Sequence, residues 1–311
     1  MLRRGNTDYY NQSIMADLAA NTFPASLPAN FPPKGGADPA TNNCIWVGLA
    51  TLIPDQSFSF SIGEPSTGGY ARQPLITKVN DGLSSVQFYK QAPGMYGNTV
   101  GVQFPAPTAN WSTNPIVAVT FWDVASGGNL LSWDGGIVPF FALTGMPGVY
   151  FPPGSLRVGI NPGWGRRGMI SEFLADAVCA TLYTNAGFSG TASWVALCKT
   201  RPLPSDTDIS SSREVLSPYG GNPPNYSRAS IGSLTAVGPG RYGNSGAVQF
   251  AYPTGTWNTA MAWGLVSGQG SSGGNVGNLW FAGLLDPPRT MDQYRGSVWF
   301  PINGLQVGLG Q

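Results

Sequence analysis

The sequence predicts an all-β protein built as two tandem β-sandwich domains of jelly-roll type, each preceded by a short helix. Three observations carry that prediction. A closing segment occurs twice, as Val149-Tyr150-Phe151-Pro152-Pro153-Gly154-Ser155-Leu156-Arg157-Val158-Gly159-Ile160 and as Val298-Trp299-Phe300-Pro301-Ile302-Asn303-Gly304-Leu305-Gln306-Val307-Gly308-Leu309. Leu156, Val158 and Ile160 alternate, as do Leu305, Val307 and Leu309, which is the period of a strand with one buried face. Composition is the second observation: 43 Gly and 27 Pro occur without a period beside 42% hydrophobic and 12% aromatic residues. Disordered chains lack that apolar content, so the glycine and proline mark turns. Third, short apolar runs separated by glycine-rich turns recur in the same order in both halves, the pattern of a sandwich.

The order predicts an N-terminal arm over residues 1–13, a first domain over 14–160, a linker over 161–167 and a second domain over 168–311. Residues 1–13 are polar. From Ile14 a helical segment follows, with Met15, Leu18 and Ala19 on one face. In the second copy Ser171 is a candidate N-cap, and Phe173, Leu174, Ala177, Val178 and Leu182 recur at helical spacing. Met15-Ala16-Asp17 and Leu174-Ala175-Asp176 align the two helices. The first strand, Cys44 to Ala50, is echoed by Ser193 to Cys198. Gly69-Tyr70-Ala71-Arg72 reappears as Asn225-Tyr226-Ser227-Arg228, each leading into a short strand. Asn98 to Trp111 matches Asn244 to Trp257, including Val102-Gln103-Phe104 against Val248-Gln249-Phe250. Ile116 to Phe121 and Ala260 to Leu265 are further strands. Turns at Gly127-Gly128-Asn129 and Gly273-Gly274-Asn275 read as hairpins before Leu130-Leu131 and Leu279-Trp280. The linker is short, so the two domains sit close, with Trp164 placed to pin them.

Charged residues total 10% with a net charge of +1, against roughly 25% in typical soluble domains. That balance carries no nucleic-acid footprint and no attraction to anionic lipid. Two readings of the low charge stand: surfaces that finish inside a permanent assembly, or a neutral surface of Ser, Thr, Asn and Gln. Cys44, Cys179 and Cys198 have no metal-binding spacing and read as free buried thiols of a reducing compartment. Arg3-Arg4 has no apolar run behind it, so no signal peptide is expected, and no run reaches the length of a membrane span.

The chain has no histidine. That removes Ser-His-Asp and Cys-His catalysis and His-based zinc sites, and no serine sits in a G-x-S-x-G elbow. Gly268 to Gly273 matches G-x-G-x-x-G without the βαβ context, so a hairpin loop is the better reading. Asp206 and Asp208 lack the glycine and glutamate of a calcium loop. Asp123, Asp134, Glu172, Asp286 and Asp292 are glycosidase carboxylates by type only. No catalytic residue, cofactor site or metal site is expected. Arg72 and Arg228 sit beside Tyr70 and Tyr226 in both units, either stacked and bridging strands or facing a partner. Trp46, Trp111, Trp194 and Trp257 recur at matched positions, as core residues do. Trp122, Trp133 and Trp164 have no counterparts and are candidate interface anchors.

Trp46-Val47-Gly48-Leu49, Gly69-Tyr70-Ala71-Arg72, Val102 to Trp111, and Phe121-Trp122-Asp123 with Gly127-Gly128-Asn129-Leu130-Leu131 resemble a β-rich virion domain of tailed bacteriophages. It is found in proteins labelled head-fibre, decoration or tail-fibre-like. The second unit departs from the pattern at Asn225, in place of glycine, and at Leu265-Val266-Ser267. The resemblance implies a structural virion role without catalysis. The reading placed first is a capsid decoration (cement) protein on the head surface, bridging major capsid subunits and assembled in the host cytoplasm. Its expected partners are the major capsid protein, neighbouring virion subunits and further copies of itself, with no nucleic acid and no membrane. The alternative is a tail, baseplate or fibre-adaptor protein, and a third reading is a glycan-binding or glycan-cleaving receptor protein.

Overall fold

The computed structural model describes residues 4–6, 8–20, 45–54, 62–75, 88–160, 163–165, 168–184, 193–206, 209, 213–215, 225–238, 240–268, 277–291 and 297–309. In the first half the elements are β1 (Arg4–Asn6), α1 (Asp8–Ala20), β2 (Trp46–Ala50), β3 (Gln73–Pro74), β4 (Phe88–Ala92), β5 (Met95–Asn98), β6 (Val102–Gln103), β7 (Ala118–Trp122), β8 (Leu130–Asp134), β9 (Tyr150–Phe151) and β10 (Arg157–Gly159). The second half adds β11 (Gly163–Gly165), β12 (Gly168–Ile170), α2 (Glu172–Thr184), β13 (Trp194–Cys198), β14 (Ala229–Ser230), β15 (Leu234–Gly238) and β16 (Arg241–Asn244). It continues through β17 (Val248–Gln249), β18 (Ala260–Val266), β19 (Leu279–Arg289), β20 (Trp299–Phe300) and β21 (Gln306–Gly308).

The sheets are antiparallel and repeat in the same order. The large sheet of the first half runs β1-β8-β7-β2-β3, and that of the second runs β12-β19-β18-β13-β14 with β11 added outside β12. Each half adds a three-stranded sheet, β10-β5-β4 or β15-β16-β21, and a two-stranded ribbon, β6-β9 or β17-β20. The duplication read from the closing segments therefore extends to every strand but β11.

Strand alternation explains the inner face but not the whole burial. Val47, Leu49, Val119, Phe121 and Leu131 face the main core, as period two demands. Their outward neighbours Trp46, Ala50, Ala118, Trp122, Leu130 and Trp133 form a second buried cluster with Ile62. Segments lying over the outer face bury the sheet on both sides. The second half has the same outer cluster in smaller side chains, including Ala196, Cys198, Ala262, Val266 and Ala282.

The N-terminus differs from the expected arm. Residues 4–6 pair with β8, and the helix starts at Asp8 instead of Ile14. Within the segment expected to be a linker, Gly163–Gly165 forms β11, which pairs with β12 and so extends the second large sheet. In α2 the cap at Ser171 is present: the Leu174 N–H donates to Ser171 Oγ at 3.1 Å, and Ser171 Oγ donates to the Leu279 carbonyl at 2.5 Å. Among the described side chains, the buried positions of α1 are Tyr10, Asn11, Ile14 and Met15, and those of α2 are Leu174, Ala175, Val178 and Cys179. The structural pairing is thus Tyr10 with Leu174, which displaces the sequence alignment through Asp17 and Asp176. The helices share a buried spacing and little sequence, so a chance Asp match misplaced the register.

The helices cross between halves. α1 packs on β8 and also on β15 and β16, whereas α2 packs on β19 and also on β4 and β5. One continuous core cluster holds residues of both halves.

Candidate interaction surface

Arg72 and Arg228 each hold an equivalent node. The guanidinium of Arg72 donates to Glu64 through Nε at 2.7 Å and Nη2 at 2.7 Å, and Tyr70 donates its hydroxyl proton to Glu64 Oε1 at 3.0 Å. The Tyr70 oxygen accepts the Leu49 N–H at 2.8 Å. In the second half Arg228 donates to Glu214 twice at 3.0 Å, Tyr226 donates at 2.8 Å, and the Leu197 N–H reaches the Tyr226 oxygen at 3.0 Å. These are forked, charge-assisted contacts of the kind arginine makes with a carboxylate. Burial, foremost, and the Glu214 charge push the Tyr226 phenol well above its ordinary range, so it stays protonated and donates. Burial alone would lower the Arg228 pKa, but its bonds to Glu214 outweigh that and raise it.

Arg72 also lies over Trp122, with Cζ 3.5 Å from the ring centroid, a cation–π contact. Its Nη1 donates to the Val124 and Gly127 carbonyls at 3.0 and 2.7 Å. Two of the predicted site residues are thereby brought together, with both side chains turned into the protein. Trp133 is buried in the same outer cluster, and the side chain of Trp164 lies outside the described residues. Asp123 closes the β7–β8 hairpin by accepting from the Asn129 N–H at 2.7 Å and its Nδ2 at 2.8 Å. Asp134 accepts from the Gly136 N–H, Asp206 pairs with Arg213, and Glu172 opens α2. Asp208, Asp292 and the loop from Gln269 to Gly273 lie outside the described residues. Among those described, no three His, Cys, Asp or Glu residues are grouped to hold a metal ion. No helix among them is long and apolar enough to cross a membrane.

The departures of the second half keep the geometry of the first. Asn225 adopts φ 63° where Gly69 has φ 76°, and Asn303 adopts φ 58° where Gly154 has φ 76°; asparagine is among the few side chains that tolerate this region. Ser267 replaces Asp123 in its bonding role, its Oγ accepting the Asn278 N–H at 2.8 Å.

Tyr150 and Trp299, matched in sequence, were not among the predicted site residues. They pair with Gln103 and Gln249 on the open faces of the two ribbons, and each is 55% exposed. Alternation carried the signal: Phe151 and Phe300 pack inward against Phe104 and Phe250, so their neighbours point out. Several other exposed apolar side chains of the first half, among them Val138, Phe141 and Met146, belong to the β8–β9 connection. An outward aromatic on the ribbon is common to both halves, and isolated exposed apolar residues are otherwise ordinary.

Cys179 and Cys198 are free and buried, while Cys44 lies outside the described residues. Burial pushes the Cys179 thiol from 9.0 up to about 12, and Cys198 is raised in the same way. A thiol held protonated in the folded state stabilises fully below its unfolded value, and that contribution declines as pH rises toward the folded one. Unfolding free energy is therefore expected to fall steadily above pH 9. Both thiols are expected to react with a disulfide reagent only on unfolding. Immediate native labelling at neutral pH would contradict this.

The family model described as Podophage GP4 fiber I protein gp80 matches residues 34–145, wholly within the first half. No curated protein matches the chain. The matched stretch holds the Glu64–Arg72–Tyr70 node, the β4–β5 hairpin and the whole of β2, β7 and β8. Over it, the chain is similar to a fibre protein of a podophage virion.

Proposed function

We propose that the chain is a structural component of a tailed-bacteriophage virion, built into a fibre or into the base that joins a fibre to the particle. The observation that carries the reading is the fibre-protein match over residues 34–145. The duplicated strand order supports it by giving two equivalent presenting surfaces on one chain. The match favours the fibre-adaptor alternative over the cement reading, since the matched family is one of fibre proteins. Neighbouring virion subunits are the partners, and Tyr150 and Trp299 are their contact points. Exposed aromatics are the side chains that most often anchor such contacts. Arg72, Arg228, Trp122 and Trp133 act behind them, holding the sheets that carry the ribbons.

Imaging of purified particles with a tag on this chain tests the proposal. Label confined to appendages or their attachment points, at a low copy number, is expected. Label spread over the shell lattice at hundreds of copies would restore the cement reading. A Tyr150→Ser/Trp299→Ser double variant is expected to melt as wild type yet be missing from assembled particles. Normal incorporation of that variant would rule out the two aromatics as contacts.

A further inference from the structure

Each three-stranded sheet ends in a tight turn, at Gly94 in the first half and Gly240 in the second, both with left-handed φ of 65° and 60°. In both cases the helix lying against that turn comes from the other half. Asp176 on α2 accepts the Gly94 N–H through Oδ1 at 2.6 Å and pairs through Oδ2 with Lys90 Nζ on β4 at 2.6 Å. One turn further along α2, Cys179 Sγ lies 3.5 Å from the Gly94 carbonyl. The reciprocal contact is as close: a Cβ placed on Gly240 would stand 3.0 Å from Cβ of Asn11 on α1. Asn11 is the structural equivalent of Ala175, beside Asp176. Meanwhile the strand before each helix stays in its own half, β1 on β8 and β12 on β19.

We infer that each of these turns is a receptor for the helix of an equivalent repeat, so that the two halves are a fused, helix-exchanged pair and neither is a free-standing domain. The partner each surface fits is a helix buried at i, i+1, i+4 and i+5, with a compact side chain where it passes the glycine. Both helices meet that description. Separated from the other half, either one presents this surface to a second copy of itself. The inference concerns the chain alone and does not depend on where in a particle it sits.

A protease site inserted between Asn161 and Pro162 of the full chain tests it. After cutting, the two fragments are expected to elute together at the size of the intact protein and to unfold in one transition. Fragments that elute apart without denaturant, or melt independently, would overturn the exchange. Asp176→Ala supplies a second readout by hydrogen exchange in the intact chain. The amides around Gly94 are expected to exchange roughly tenfold faster, the loss of one charge-assisted hydrogen bond, while the β15–β16 turn stays unchanged. Acceleration confined to the second half's own sheet would count against the inference.

Discussion

Replacing Glu214 by alanine is expected to cost about 3–5 kcal/mol of unfolding free energy, as breaking a buried ion pair does when one charge is left behind. The side chains of Arg228 and Glu214 are only 2% and 9% exposed, so the guanidinium charge is left buried with the Gly268 and Ile209 carbonyls among its remaining acceptors. The damage also spreads beyond the pair. Tyr226 loses its acceptor, although its oxygen still accepts the Leu197 N–H at 3.0 Å. Glu214→Gln, which keeps an acceptor and removes the charge, should fall between the two. Glu64→Ala in the first half should cost less, because Glu64 is 22% exposed and solvent compensates part of the charge. Denaturant titration with unchanged m values checks the ranking. A loss below about 1 kcal/mol for Glu214→Ala would place the pair among ordinary surface ion pairs.

Asn244→Ala is expected to be comparably costly, at about 3 kcal/mol or more, since each buried polar group left unpaired costs about 1–3 kcal/mol. The Asn244 side chain accepts the Leu305 N–H at 2.8 Å and donates to the Gly246 and Pro301 carbonyls at 2.6 and 2.8 Å. Asn98 repeats the arrangement with Leu156, Val100 and Pro152 at 2.9, 2.6 and 3.1 Å. Each asparagine ties a strand of its small sheet to the closing segment of its half. Asn98→Ala should therefore match Asn244→Ala within experimental error, and Asp at either site should fail as well, for it supplies no donor. Equal stability of either alanine variant and the wild type, measured by the same titration, would refute this role.

The duplication was legible because the closing segment and the Val-Gln-Phe strands keep both alternation and identity. Large apolar side chains at period two leave few other solutions. The hairpins β4–β5 and β15–β16 are not evident from pattern alone: Pro93-Gly94 and Gly238-Pro239-Gly240 are turn signals, but the flanking strands are partly exposed and lack a clean alternation. The tryptophans without counterparts read as surface anchors on sequence grounds. Trp122 and Trp133 lie in a layer that exists because the sheet is covered on both faces, which no strand period encodes. For Arg72 the sequence left two options open, and Glu64, eight positions away, shows the geometry that decides between them. Local pattern carried no trace of the helix exchange, because it depends on contacts between distant parts of the chain.

That exchange has a consequence for synthesis. The turn that receives α1, at Gly240, is about 230 residues downstream of Asn11 on the helix, and ribosomes add about 5–20 residues per second. A nascent chain thus carries the part of α1 that meets β15 and β16 uncovered for tens of seconds at the slower rate, even after β8 of its own half has emerged. During that interval neighbouring chains on one messenger can supply the missing turn to each other, so crowded translation should favour interlinked chains over single ones.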